Sequence, residues 1–563
     1  MKAYWIASAC FAVAVALACL WESRCHFSGA FGGHGGPAVL LGPRRTVERF
    51  VPRGERVTLY RSDSVDRPSH VCRSIFLSMA WAAGAGNVEE KRSLDGTERY
   101  VLVAPVAFTP DSLPGNPAYR EYRLENVGRI WIREDAPAAC PAPDGVAPSK
   151  IRDDGIAAIA RECADWREAL GLVAPLALAL ALLGVGLRRM PPWQSFVCAF
   201  AVFALNAMFA LSHTFTGPCG TGVFGGRAKA LVESGWDFST LANPNMGEYF
   251  QAAYPPLQAV VTAVGYAVAG CCGEWLTQLG PVVFLAAAFL VLDGMSRDGA
   301  DGSPAMSLLL AASCLTGPMV RAAGNFCAEP LMVLVVASGW SAVRRGNDRG
   351  WFLIGLAGLV KNEGLFYAPA IAVAEMAAGR LRLRGLPVLA LGLVPVALWH
   401  FGCRWMGASL YDYAAPWQCD PAKAFAAARA LLLEMALHPW RYAFVFIVLA
   451  ACVRAARHAH GIKPRLRVAA MAALPPVAFF CVCAAGICYA FSLSRAPDFA
   501  WHVSCLARLL APVSILALAN SQFRIPVSQI GEGQNSNTQT PKHSNPKPLL
   551  YPAGICGIIP RDT

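Results

Sequence analysis

Charge is what this chain has least of. Only 15% of its 563 residues are Asp, Glu, Lys or Arg, while 55% are hydrophobic and the mean hydropathy is +0.41. A soluble chain of this size carries about 25% charged residues. The shortfall excludes an ordinary soluble enzyme, and apolar runs of about 17 to 20 residues match helices that cross a bilayer. No Cys-x-x-Cys pair is present among the 20 cysteines, which argues against a structural zinc site. No segment repeats at a fixed period, so a solenoid is excluded as well.

The formal net charge is +12, yet its distribution does not suit nucleic acid. Residues 22–168 hold 20 basic and 20 acidic side chains and are neutral. The excess lies in clusters beside apolar spans: Arg188-Arg189, Arg344-Arg345, Arg380 with Arg382 and Arg384, and Arg454 to Arg467. Such clusters mark cytoplasmic loops. The expected fold is therefore an all-α polytopic membrane protein of about ten to twelve spans. A small β-rich extracytoplasmic domain is expected after the first of these spans.

Residues 1–21 are expected to be a signal anchor, or a signal peptide cleaved after Ala16-Leu17-Ala18. Residues 22–168 alternate β-branched and aromatic residues with Gly/Pro/Asp clusters, which suggests strands at 49–61, 99–108 and 119–132. Four cysteines, Cys25, Cys72, Cys140 and Cys163, allow two disulfides there in three connectivities. Residues 169–519 form the polytopic region, and 520–563 have the composition of a disordered cytoplasmic tail. One stretch breaks the alternation of sides. Between Tyr254 and Glu329, both expected outside, lie three apolar runs (255–271, 278–293 and 305–320) where an even number of crossings is required. One of them must be re-entrant, fail to span, or consist of two short helices.

Four polar stretches between apolar spans are candidates for chemistry, because charge near a bilayer is costly. The first holds Arg227 and Lys229 on a short helix, then Asp237 and Glu248, then Tyr254-Pro255-Pro256 at the entry to the next span. The second runs from Arg321 to Glu329, where a salt bridge closing a helix hairpin is as good an explanation as a site. The third is Lys361-Asn362-Glu363-Gly364, set between two apolar halves each too short to span comfortably. The fourth contains Asp498, Trp501, His502, Ser504 and Arg508. An arginine at the start of a span demands a carboxylate partner or an anionic ligand.

A basic pair followed by Tyr-Pro-Pro, a Lys-Asn-Glu-Gly turn and the closing Asp498–Arg508 stretch together resemble the multi-spanning GT-C glycosyltransferases. The likeness is to bacterial members near the protein mannosyl- and aminoarabinosyl-transferase group, over residues 192–515. It implies transfer of a sugar from a polyprenyl-phosphate donor to an acceptor glycan, lipid or protein at the external face of the inner (plasma) membrane. Under it, Arg227, Lys229, Lys361 and Arg508 hold the lipid phosphate. Asp237 or Glu248 serves as general base or metal ligand, with a divalent cation one candidate cofactor. Tyr254, Arg321, Glu363 and His502 complete the substrate site. The resemblance also implies an Asp shortly before the basic pair, where this chain has Gly217-Pro218-Cys219-Gly220. A non-catalytic lipid-carrier binder, transporter or flippase is the alternative from a different class.

Overall fold

The computed structural model describes residues 2–28, 51–52, 55–60, 88–91, 97–103, 119–124, 128–133, 135–136, 165–212, 219–242, 254–298, 304–406, 418–458, 462–493 and 505–521. The chain divides into two compact units, Met1–Phe523 and Arg524–Thr563, the second of which lies outside the described residues. So do Cys72, Cys140, Cys163 and the side chain of Cys25, on which the two expected disulfides depend.

Most of the described chain is helical. In order the helices are α1 Lys2–Ser28, α2 Glu168–Gly186, α3 Trp193–Leu211, α4 Gly225–Glu233, α5 Leu257–Ala269, α6 Leu279–Arg297, α7 Pro304–Cys314 and α8 Gly317–Gly324. There follow α9 Glu329–Arg344, α10 Gly350–Val360, α11 Tyr367–Ala377, α12 Leu386–Trp405, α13 Pro421–Leu437, α14 Ala443–His458, α15 Ile462–Ser492 and α16 Leu506–Asn520. Among the described residues five helices are long and apolar enough to cross a membrane, or up to seven if two bent helix pairs each count as one span. That is fewer than the ten to twelve expected from apolar runs. Glycine, proline and charge cut several runs short. The run 255–271, for example, yields a helix of only 13 residues, stopped by Gly270 in the left-handed conformation. At 1.5 Å per residue it reaches about 20 Å, short of a hydrocarbon core about 30 Å thick.

The centre of the bundle is α9, whose residues from Glu329 to Ala342 are all buried, together with α16, buried from Leu509 to Asn520. A helix apolar on every side belongs inside a protein, where it has no membrane-facing stripe to expose. By contrast α2 and α12 keep most of their surface outside the packed interior, with Leu180 66% and Leu398 64% exposed.

Polar contacts sort the helix termini into two ends. At one end Arg345 of α9 donates to the carbonyls of Gly186 (2.8 Å) and Val185, at the close of α2. Asp293 of α6 accepts from Ser195 of α3 (2.5 Å), Ser307 of α7 (2.6 Å) and Arg297 (2.8 Å). Glu375 of α11 accepts from Trp340 of α9 (2.8 Å) and Arg380 (2.9 Å). This basic end therefore gathers Arg188, Arg344, Arg345, Arg380 and Arg382. At the opposite end Glu168 accepts from the backbone N–H groups of Trp275 (3.0 Å) and Leu276 (2.7 Å), and Trp275 donates to Leu211 at the close of α3 (3.0 Å).

These anchors resolve the three apolar runs. Gln258 of α5 donates to the Phe326 carbonyl (3.1 Å), while further along the same helix a Cβ on Gly265 would stand 2.4 Å from the Gly171 carbonyl oxygen. Both neighbours belong to the opposite end, and only glycine permits the second approach. Helix α5 thus lies along that end and does not cross. Helix α6 crosses to the basic end, and α7 with α8 returns, bent by 59° between Cys314 and Gly317. Two crossings remain, as the even count requires.

Helix α1 is part of this bundle. Ser23 donates to the Leu315 carbonyl (2.7 Å), and Glu22 accepts from Trp440 (2.8 Å) and Arg441 (3.1 Å), itself paired with Glu434.

Between α1 and α2 stands a five-stranded sheet of order β2-β1-β3-β5-β4, from β1 Val57–Tyr60, β2 Val88–Lys91, β3 Tyr100–Val103, β4 Tyr119–Leu124 and β5 Gly128–Arg133. Strands appear in each of the three expected stretches, and β2 is an addition. Val57, Thr58 and Leu59 of β1 and, beside them, Tyr100, Val101 and Leu102 of β3 are all buried, so the two central strands are covered on both faces. With β1 parallel to both of its neighbours and β3, β5 and β4 antiparallel, the sheet is mixed.

Single reporter cysteines at Glu233 and at Gly270, before and after α5, are expected to be labelled by a membrane-impermeant maleimide from the same side. A reporter at Asn347 is expected to react from the other side. Labelling of Glu233 and Gly270 from opposite sides would show that α5 crosses.

Candidate functional site

The two apolar halves around Lys361 are α10 and α11, 11 residues each, joined by a 3-10 turn over Asn362–Phe366. They form a hairpin. Its base touches α9 at the basic end, where a Cβ on Gly350 would meet the Gly339 carbonyl and where Glu375 meets Trp340. Its tip reaches Glu329, the first residue of α9, ten residues and about 15 Å along that helix from the Gly339 contact. A Cβ on Gly364 would lie 2.1 Å from the Ala357 carbonyl oxygen, so glycine is needed for the tip to fold against α10.

At the tip Lys361 Nζ stands 2.9 Å from Glu329 Oε1 and 3.5 Å from Glu363 Oε1. Arg508 Nε, in the first turn of α16, is 2.9 Å from the same Glu329 oxygen. The Lys361 and Glu329 side chains are 4% and 1% exposed. Two cations and two carboxylates leave the group neutral, which a buried cluster needs, since an unpaired charge there is strongly unfavourable. Glu329 also opens α9, where the helix dipole favours a negative charge. The Glu329 Oε2, Glu363 Oε2 and Asn362 Oδ1 atoms are buried and have no hydrogen-bond partner. Buried acceptors of this kind are uncommon and call for an explanation, such as a group that donates to them. Lys361 and Arg508, with three and five N–H donors respectively, keep donors beyond those spent on Glu329.

Cys219, where the resemblance implies an Asp, opens a π-helical turn over Cys219–Val223, and Cys327 Sγ is 3.4 Å from Arg508 Nη1. The preceding residue, Phe326, holds φ of 58°. That left-handed conformation is unusual for a bulky side chain, and the Gln258 contact to its carbonyl helps hold it.

A second group lies at the same end. Arg227 of α4 is fully buried, donates to the Tyr254 carbonyl (2.9 Å) and sits with its guanidinium 5.5 Å from the ring centre of Trp399 on α12. Phe238 approaches that ring edge-on at 6.4 Å. Arg227, Tyr254 and the turn beginning at Asp237 are thereby drawn to one aromatic post.

Of the residues expected from sequence, Lys361, Glu363 and Arg508 meet in one cluster, and Arg227 and Tyr254 meet in the other. Lys229 pairs with Glu233 at 3.6 Å on α4, one turn apart. Arg321 is exposed on α8. Asp237 is exposed and accepts from the Ser239 N–H (2.8 Å) and hydroxyl (2.7 Å), capping a 3-10 turn over Phe238–Ala242. Glu248, His502 and Asp498 lie outside the described residues. Glu329, Cys327 and Trp399 join the site from the structure. The cost of burying Arg508 was the signal for Glu329, while nothing in sequence pointed to Trp399. Among the described residues no three His, Cys, Asp or Glu side chains gather as a metal site.

Fold and site together define a multi-pass membrane protein with an enclosed polar centre at one end of its helices. No protein-family model matches the chain, and no curated protein or solved structure matches it either.

Breaking the quartet with Glu329→Gln or Lys361→Met is expected to lower stability by about 3–5 kcal/mol each. The double variant is expected to lose clearly less than the sum, in a double-mutant cycle of reversible unfolding in detergent. Additive losses would show the contact to be energetically idle. A separate expectation concerns Asp237, whose carboxyl is held below its ordinary value by the Ser239 hydrogen bonds. A lowered folded-state value favours the turn above the ordinary carboxylate range, with the benefit lost as pH falls below about 4. Ser239→Ala is expected to move that loss to higher pH, read by amide exchange over residues 238–242.

Proposed function

We propose that this chain is a membrane glycosyltransferase of the GT-C kind. It would move a sugar from a polyprenyl-phosphate carrier to an acceptor at the external face of the inner (plasma) membrane. The observation that carries this reading is the neutral buried quartet, which combines spare cationic donors with unpartnered acceptor oxygens at one end of the bundle. A sugar phosphate has complementary chemistry: an anion for Lys361 and Arg508, and hydroxyl groups for Glu329 Oε2 and Glu363 Oε2. Lys229 and Arg227 stand at the same end, toward the lipid entry side of the loop.

Placement follows from charge. The end holding Arg188, Arg344, Arg345, Arg380 and Arg382 is cytoplasmic by the positive-inside rule, so the quartet faces outward, and so does the sheet between α1 and α2. The carboxylate that takes the acceptor proton is Asp237 or Glu248. Glu329 is a third choice, because it is the buried carboxylate on which Lys361 and Arg508 converge. A divalent cation, if used, would need ligands from this loop.

The α10–α11 hairpin favours one rival. Broken helices with charged tips are a feature of transporters, so a flippase for the lipid carrier would use the same groups differently.

The test is transfer from labelled polyprenyl-phosphate sugars by purified protein in detergent. Lys361→Gln is expected to lower turnover by about 100-fold or more, the scale of losing one electrostatic contact to the reacting group. Loss in only one of Asp237→Asn, Glu248→Gln and Glu329→Gln would identify the base. No transfer by the wild type across several donors, with carrier lipid crossing reconstituted vesicles, would establish the transporter instead.

A further inference from the structure

The basic end carries more cation than its own carboxylates use. Its centre is the turn between α9 and α10, residues 345–349. On one side Arg345 donates to the carbonyls of Gly186 (2.8 Å) and Val185, so the α2–α3 loop starts against this turn. On the other, Arg382 Nη1 donates to the Gly346 carbonyl (3.3 Å) and Arg384 Nε stands 2.6 Å from Asp348 Oδ2. The α11–α12 loop is thereby brought to the same turn. Gly346 holds φ of 81°, and a Cβ on it would stand 2.9 Å from Arg382 Nη1, so glycine is what admits the guanidinium. Arg188, Arg189, Arg349, Arg382 and Arg384 are all exposed. Among the described residues only Arg384 of these five has a carboxylate partner. The side chains beside them are large and apolar. Met190 is 81% exposed and Trp193 70%, just after Arg188-Arg189, and Leu383, between Arg382 and Arg384, is 71% exposed. That combination suits the headgroup level of a bilayer, where apolar side chains enter the acyl boundary and guanidinium groups reach phosphate. Tryptophan is enriched at that level.

We propose that the basic end binds an anionic phospholipid, with the headgroup phosphate held against the α9–α10 turn by Arg188 and Arg189 from one loop and Arg382 from the other. The proposal does not depend on sugar transfer. A guanidinium meets phosphate through paired N–H donors, and basic pockets between helices retain acidic headgroups where a balanced set of charges would not. Met190, Trp193 and Leu383 flank the acyl chains. The lipid supplies the negative charge that Asp348 and Glu375, already paired with Arg384 and Arg380, do not. It also acts on the hairpin. Arg349 immediately precedes α10 and Arg382 follows α11, so a headgroup at this turn braces the base whose far tip carries Lys361.

The experiment uses the full-length protein in detergent, stripped of lipid and titrated with dioleoylphosphatidylglycerol or dioleoylphosphatidylcholine, with bound lipid read by native mass spectrometry. The wild type is expected to retain phosphatidylglycerol in preference, and the preference is expected to shrink as salt rises. Arg188→Gln with Arg189→Gln is expected to bind phosphatidylglycerol about 30-fold more weakly, the scale of losing two arginines from a headgroup contact. Arg167→Gln, which removes an exposed cation from the opposite end of α2, is expected to bind like the wild type. A second measurement needs no variant. In nanodiscs, a photoreactive phosphatidylglycerol is expected to cross-link to wild-type peptides that contain Met190 or Leu383. Equal retention of the two lipids would overturn the proposal, as would equal phosphatidylglycerol binding by the wild type and the double variant. Cross-links confined to other parts of the chain would place the lipid elsewhere and overturn it too. Displacement of the lipid by inorganic phosphate at the same concentration would show a site for free anions and not for a lipid.

Discussion

Glu329 is the carboxylate around which the interior is arranged. It is the first residue of the most deeply buried helix, it meets a lysine from a hairpin tip and an arginine from the last helix, and both contacts fall on one oxygen. Without it the burial of Arg508 would be strongly unfavourable, and Lys361 would keep only Glu363 as a partner. Three elements that share no local sequence are thus pinned to one point, and the position of the tip relative to α16 follows from that contact. The basic end is organised in the same way by Asp293, which accepts from α3, α6 and α7, and by Glu375, which accepts from α9 and from Arg380 just past its own helix. Between these ionic ends the packing is apolar and closely fitted, with glycines where backbones touch.

That arrangement explains why so many helices are short. A hairpin that delivers Lys361 to Glu329 must turn back there, which limits α10 and α11 to 11 residues each. The α5 helix, which supplies Gln258 to the Phe326 turn, must lie along the end where that turn is found. Elements shaped to deliver polar groups give up length, while α2, α3 and α12, which carry fewer polar partners, remain long enough to span. Function and span length compete for the same residues.

Much of this was legible beforehand. Arg508 at the head of an apolar helix announced a buried partner, and Glu329 is that partner. The parity of the three runs before Glu329 required an exceptional one, and α5 is it. The polar interruption at 361–364 marked the hairpin, although apolar length alone overstated the number of spans. Trp399 was hidden because an aromatic in an apolar helix looks like any lipid-facing residue until Arg227 is seen beside it. The strand β2 escaped notice because Val-Glu-Glu-Lys has little of the β-branched character that marks a strand.

The contact between Glu22 and Arg441 has a consequence for how the molecule is made. The two are 419 positions apart, with the sheet and nearly every helix between them. During synthesis the Glu22 carboxylate, which also accepts from the Gly317 N–H (3.2 Å), therefore gains its charged partner only when the α13–α14 corner emerges. Anything that shields Glu22 in that interval, whether headgroup, water or insertion machinery, is a requirement of biogenesis that the finished structure no longer displays. Two further helices must still follow that corner before Arg508 can reach Glu329.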